Sequence, residues 1–227
     1  MNAEPLPAQE ETPGQFIVRR TGVIVGLAGV AELIYGFVAS PPGQLRFQVT
    51  GLILGALIFF SGQALQALVR WLAWMSVLPL GLSLLGQLAL IPGALLAAQW
   101  RAMPLTVAGY YANLVMLLAL AVFVARQLGR PEVLAERRAA GRKMRDMRWP
   151  LALGLLAGLG SVALQYRMLN GEEARQAVQM AAAKLGPRYH YYANGVWISY
   201  GKDTIVSATV QAWNDEELLQ LPLRWTK

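Results

Sequence analysis

Four polar side chains interrupt otherwise apolar stretches of this sequence and are the first candidates for chemistry. They are Glu32, Gln87, Tyr110 and Asn113. A carboxylate in hydrocarbon costs roughly 2.5 kcal/mol or more, so it usually faces a protein interior and has a partner. If the apolar stretches cross a membrane, all four groups fall in the outer half of their spans. The pattern predicts an intramembrane polar cluster.

Three roles are open for Glu32 in that cluster. It can belong to a small pocket for a cation, a proton or a headgroup, which is a functional role. It can instead be a protonated hydrogen-bond partner that fixes helix packing. The third role is a carboxylate close enough to the outer interface to reach water.

The residue types in this sequence give little support for a catalytic site. His190 is the only histidine and there is no cysteine, which excludes thiolate nucleophiles, cysteine-ligated metals and histidine-based metal sites. No phosphate-binding or dinucleotide-binding glycine motif is present. We expect no catalytic residue, no metal, no cofactor and no enzymatic activity, and we interpret His190 as a packing or hydrogen-bonding residue.

Five apolar runs must position these groups. They cover residues 21–39, 49–68, 72–97, 105–125 and 150–166, and the last has about 17 residues. A helix rises about 1.5 Å per residue, so roughly 20 apolar residues cross a 30 Å hydrocarbon core. With a mean hydropathy of +0.39, the chain is predicted to be an α-helical multi-pass membrane bundle of five transmembrane helices, four of them in a block at 16–125.

Small residues predict where these helices touch. Glycines four residues apart let helix backbones approach closely. Such pairs are Gly22 with Gly26, Gly51 with Gly55, and Gly154 with Gly158. The third span contains Pro79 and Pro92, so we expect it to be kinked or interrupted.

Positive charge is concentrated in one segment, residues 126–149. It holds eight of the basic residues against three acidic ones, in a chain of net charge +7. By the positive-inside rule this basic segment is cytoplasmic, which places the N-terminus in the cytoplasm and residues 167–227 outside it. A fifth segment lying along the surface would instead leave those last residues cytoplasmic. The predicted membrane-surface basic residues are Arg137, Arg138, Arg142, Lys143, Arg145 and Arg148, with anionic lipid rather than nucleic acid as their partner.

The two ends of the chain differ in composition from the spans. Residues 1–15 are rich in proline and glutamate, and we expect a disordered tail. The first span is longer than a signal peptide's apolar region, so we expect it to remain as an anchor. Residues 167–227 predict a small α+β domain, with an amphipathic helix at 171–185 followed by a four-stranded antiparallel meander. The pair Asn194 and Gly195 predicts the turn of its first hairpin.

Large aromatic side chains crowd that hairpin. With His190 and Tyr192, the side chains of Tyr189, Tyr191, Trp197 and Tyr200 are more than one face of a small sheet can bury. Exposed aromatics of this kind mark interfaces, and the predicted partner-binding residues are Tyr189, Tyr191, Trp197 and Tyr200. The alternative is that half of them form the core.

Three functional hypotheses follow. The first is an accessory or assembly subunit of a cell-envelope complex, whose outer domain binds a membrane or periplasmic protein. The second is an immunity protein against a periplasm-delivered toxin, and the third is a small transporter or channel that uses Glu32. Arginine outnumbers lysine, and alanine, leucine and glycine are abundant. Bacteria with GC-rich genomes have this composition, so we expect the protein in a bacterial inner membrane.

Overall fold

The computed structural model describes residues 12–39, 49–143, 146–201 and 203–227. The chain divides into two compact units. The first unit comprises Met1–Leu78 with Met116–Gly154, and the second comprises Pro79–Val115 with Leu155–Lys227. Of the predicted tail at residues 1–15, residues 1–11 lie outside the described residues. The last part of the tail is helical, because α1 begins at Pro13.

The described chain is mostly helical. Its helices are α1 Pro13–Ala39, α2 Thr50–Phe60, α3 Gln63–Leu90, α4 Gly93–Ala102, α5 Pro104–Gln127, α6 Pro131–Ala139, α7 Arg148–Asn170 and α8 Glu172–Leu185. Three of them, α3, α5 and α7, are long and apolar enough to cross a membrane. Many apolar side chains on these helices are exposed, such as Leu105 at 85% and Leu156 at 68%. These features indicate a membrane protein.

The predicted second and third spans have the wrong boundaries. The run 49–68 is not one helix, because α2 ends at Phe60 and Ser61 adopts an extended backbone before α3 begins. With 11 residues, α2 is only about 16 Å long. The run 72–97 is interrupted as expected, and the break falls at Pro92, whereas Pro79 lies inside α3.

Helices α1 and α2 form an antiparallel hairpin in the first unit, packed through glycine. Gly22 lies against Gly55 and Phe59, while Gly29 lies against Gly51. A Cβ added at Gly55 would lie 2.5 Å from the Gly26 nitrogen and 2.8 Å from the Gly22 oxygen. The two backbones are therefore in direct contact, which only glycine permits.

The amino end of α1 packs against α6 in the same unit. The Gly14 amide donates a 2.7 Å hydrogen bond to Glu136 Oε1. A carboxylate at a helix amino terminus satisfies a free amide and complements the helix dipole. An apolar cluster including Val18, Val124 and Val133 joins α1, α5 and α6. The amino end of α1 and the basic segment therefore lie at the same end of this unit.

The third predicted glycine pair also marks helix contacts. Gly154 lies against the backbone of Met75 in the first unit. In the second unit, a Cβ added at Gly158 would lie 2.7 Å from Leu82 Cδ1 and 3.1 Å from Pro79 Cα. Helices α3 and α7 thus approach closely where α7 has no side chain.

The C-terminal part of the second unit is a three-stranded antiparallel sheet of order β1-β2-β3. The strands are β1 His190–Ser199, β2 Ile205–Trp213 and β3 Leu218–Thr226. The prediction of four strands is wrong for the described residues, because the pair Asn194 and Gly195 makes no turn. β1 continues through the pair with a bulge, and its register with β2 shifts there.

Helix α8 covers one face of this sheet. Ala174, Ala177 and Ala181 are almost fully buried and pack with Val206 and Val210 of β2. Small side chains at spacings of three and four residues let the helix approach the sheet closely. The amphipathic helix predicted at 171–185 is confirmed, and this contact forms the core of the C-terminal part.

Candidate functional site

The residues of the predicted intramembrane cluster fall into different units. In the first unit, Glu32 is 9% exposed and faces α2 beside Gly51, where a Cβ would lie 3.3 Å from Glu32 Oε2. Gln87, Tyr110 and Asn113 belong to the second unit, where Tyr110 is half exposed with its ring edge-on to Tyr111 at 5.5 Å. The convergence of the four side chains stays a prediction. The contact of Glu32 with Gly51 is what a packing role requires.

Part of the basic segment is helical, because α6 lies within it. Of the predicted membrane-surface residues, Arg138, Arg142, Lys143 and Arg148 are exposed, whereas Arg145 lies outside the described residues. Arg137 differs, because α6 packs against α1 and leaves its side chain only 5% exposed. Arg137 is therefore not a surface residue, which corrects its place among the membrane-surface cations.

The structure separates the four aromatic residues predicted to bind a partner into two pairs. Tyr189 is 5% exposed and its hydroxyl donates a hydrogen bond to Glu217, which raises the pKa of Tyr189. Tyr191 is half-buried on the α8 side of the sheet, and its hydroxyl donates to the Gly186 carbonyl. Tyr189 is therefore buried, and Tyr191 packs partly into the core of the C-terminal part.

Trp197 and Tyr200 form the second pair and are exposed, at 61% and 82%. They lie at the end of β1, which is an edge strand. The Trp197 ring folds over Gly195, where an added Cβ would lie 2.6 Å from the ring. Gly195 therefore makes room for an exposed indole, a role that its turn-like sequence does not suggest.

Trp197 belongs to the face of the sheet opposite α8. In register across the strands lie Trp197, Ser207 and Arg224, of which Ser207 is half-buried and Arg224 is exposed. We call these three side chains, with Tyr200 at the strand end, the open face. An aromatic ring and a guanidinium on one face, separated by one strand, can receive an apolar side chain and a carboxylate of a partner.

Comparisons with known proteins add no further information about the site. No protein-family model, no curated protein and no solved structure matches this chain.

His190, the remaining candidate for chemistry, packs against an aromatic ring. Its ring centroid is 5.6 Å from that of Trp213. Within the described ranges, no three histidine, aspartate or glutamate side chains are grouped so that they could hold a metal ion.

Helix α4 covers the other half of the face that carries Trp197, and the sequence did not predict this contact. Leu95 and Ala98 are buried against Trp213. The Tyr192 hydroxyl donates a 3.0 Å hydrogen bond to the Leu90 carbonyl, and burial raises the pKa of Tyr192. The available signal was Pro92, which separates α4 from α3 and marks a short helix there, although not its contact with the sheet.

Gln99 and Gln211 join α4 to β2. Gln99 Nε2 donates a 2.8 Å hydrogen bond to Gln211 Oε1, and Gln211 is only 6% exposed. Removing one partner leaves a buried amide unsatisfied, which costs about 1–3 kcal/mol, while removing both costs less. We expect Gln99→Leu to lower the melting temperature of the detergent-solubilised protein and the double variant with Gln211→Leu to recover part of the loss. Additive losses in this cycle would show that the two amides are not coupled.

An ion pair ties the end of β3 to α8. Lys227 Nζ lies 2.7 Å from Glu173 Oε1. The hydrogen bond between them lowers the pKa of Glu173 and raises the pKa of Lys227. The pair is therefore charged near neutral pH, and it weakens as the pH falls through the pKa of the carboxyl or rises through that of the amine.

Proposed function

We propose that this chain is a non-enzymatic integral membrane protein, an accessory or assembly subunit that binds a partner protein through the open face of its C-terminal sheet. The observation that carries this proposal is the exposure of Trp197 and Tyr200, 61% and 82%, at one end of an edge strand. Tryptophan and tyrosine are the residues most enriched at the centres of protein interfaces, because they bury a large area with few rotatable bonds.

The neighbourhood of these residues supports a protein partner. Arg224 on β3 is in register with Trp197 on β1, with Ser207 of β2 between them, so an apolar anchor and a charged contact occur on the same face of the sheet. The outer edge of β1 has no proline, whereas the other edge strand, β3, contains Pro222. Proline blunts a sheet edge, so β1 is the edge better suited to contact another chain.

We also propose a bacterial inner-membrane location with the C-terminal sheet in the periplasm. The hydrogen bond from Gly14 to Glu136 supports this topology, because it keeps the amino end of α1 beside the basic segment. In this topology α1 and α2 return the chain to its starting side, and α3, α5 and α7, each long and apolar enough to span, cross in turn. Five membrane-inserted helices and a cytoplasmic basic segment satisfy the positive-inside rule.

The test is co-purification of the tagged full chain in mild detergent from its native membrane. We expect a near-stoichiometric protein to elute with the wild type and to be reduced at least about tenfold with Trp197→Ser/Tyr200→Ser, because hot-spot aromatics each contribute 2 kcal/mol or more. The matched control is Gln220→Ser/Thr226→Ser, two exposed residues of the opposite edge strand.

Two outcomes would contradict the proposal. One is a protein that elutes alone under conditions where it remains inserted and folded. The other is equal loss of the partner in the control variant, which would indicate a general effect on the sheet. Tyr191→Ala is unsuitable as a test, since Tyr191 packs with the core beneath α8 and would change stability and binding together.

A further inference from the structure

A cavity of about 440 Å³ opens in the first unit between the amino end of α1, the end of α5 and the start of α6. One part of its wall is apolar and consists of Phe16, Ile17 and Phe123. Its volume falls within the range of roughly 300–1,000 Å³ that small-molecule sites occupy. The cavity can therefore hold a molecule with an apolar portion.

The opposite part of the wall is polar and basic. Arg20 and Arg130 reach the cavity from different helices or their ends, and Gln127 and Glu132 complete this side. Both arginines are exposed. Two arginines against one glutamate leave a single net positive charge, which matches a monoanion.

The cavity lies at the boundary of the apolar helices. Arg20 directly precedes the apolar run that starts at residue 21, and α5, one of the helices long enough to span a membrane, ends at Gln127. Arg130 follows three residues later. Basic pockets between membrane helices at this depth bind anionic lipid headgroups.

We propose that this cavity binds an anionic glycerophospholipid. Arg20 and Arg130 hold the phosphodiester from two sides, with Gln127 as a further donor. Phe16, Ile17 and Phe123 receive the first part of an acyl chain. Arginine suits this role because its planar fork donates two parallel hydrogen bonds to one phosphate. A bound lipid would join α1 to α5 and α6 at the end of the unit where the basic segment lies.

The test uses the purified full chain in a neutral detergent with three probes: dioctanoyl phosphatidylglycerol, dioctanoyl phosphatidylcholine and inorganic phosphate. We expect the anionic lipid to bind and Arg20→Gln/Arg130→Gln to weaken its binding at least about tenfold. The matched control is Arg126→Gln, an exposed arginine at the end of α5 that does not line the cavity. Phe123→Ser should weaken the binding of the lipid and leave the binding of inorganic phosphate unchanged.

Several outcomes would overturn the proposal. Unchanged lipid affinity in the double variant excludes these arginines, and an equal loss in Arg126→Gln indicates nonspecific surface charge. Equal affinity for the zwitterionic lipid excludes headgroup recognition, and inorganic phosphate that binds as well as the lipid identifies a phosphate site. If the double variant does not fold, Arg130→Gln alone must still show a loss that Arg126→Gln does not.

Discussion

Gly55→Ala should separate α1 from α2 and produce one of the largest stability losses in the chain. A Cβ at this position would lie 2.5 Å from the nitrogen and 2.6 Å from the Cα of Gly26. Because these are backbone atoms, no side-chain rotation relieves the clash and the helices must move apart. Overpacking usually costs about 1–3 kcal/mol, and we expect Gly55→Ala at or above the upper end.

The matched control for this variant lies in the same contact. A Cβ added at Gly26 meets nothing within 4 Å, although the Gly26 backbone touches Gly55. Gly26→Ala should therefore preserve the melting temperature in detergent or raise it slightly, since alanine favours helix more than glycine does. The two substitutions add the same methyl group to glycines that face each other, so only packing distinguishes them.

A direct readout of the hairpin is available because the chain has no cysteine. Val25 on α1 is 2% exposed, and a Val25→Cys reporter should react slowly with a maleimide. The same reporter combined with Gly55→Ala should react at least about tenfold faster, because the helices no longer shield it. Equal labelling rates with equal melting temperatures would mean that the glycine contact does not hold the hairpin.

Val206→Asp should unfold the C-terminal sheet together with α8. Val206 is fully buried, paired with Trp225 on β3 and packed in the cluster that contains the α8 alanines. An unpaired carboxylate in such a place costs roughly 3–5 kcal/mol. The core is thin and no disulfide reinforces it, so this cost should exceed its stability.

Limited proteolysis with mass mapping measures this loss, because cleavage within β1 to β3 requires the strands to separate. The control is Ser207→Asp, the next residue along β2, which points to the opposite face and is half-buried. We expect the sheet of Ser207→Asp to stay resistant while that of Val206→Asp is cut. Resistance of both variants would contradict the assignment of the core to the α8 side.

The Asn194 and Gly195 pair shows why a strong local signal misled the prediction of the sheet. A two-residue hairpin turn of this type needs positive φ angles. Among the described residues only Gly141 and Gly186 have a positive φ, so Gly195 does not form that turn. The nine-residue β2 can pair with the whole of β1, and this continuous ladder outweighs the preference of two residues.

The sequence by itself determined the features that depend on local composition. The apolar runs at 105–125 and 150–166 became α5 and α7, and the amphipathic pattern at 171–185 became α8. Each follows from hydrophobic periodicity, which a segment carries within itself.

Tertiary structure decided the features that depend on distant partners. The backbones of α1 and α2 meet at Gly22 and Phe59, and Arg137 is buried because α6 packs on α1. Of the four candidate aromatics, Tyr191 packs with the cluster beneath α8 and Tyr189 donates a hydrogen bond to Glu217. Trp197 and Tyr200 stay exposed. A residue's burial depends on neighbours that the fold brings from elsewhere in the chain, and no local pattern encodes them.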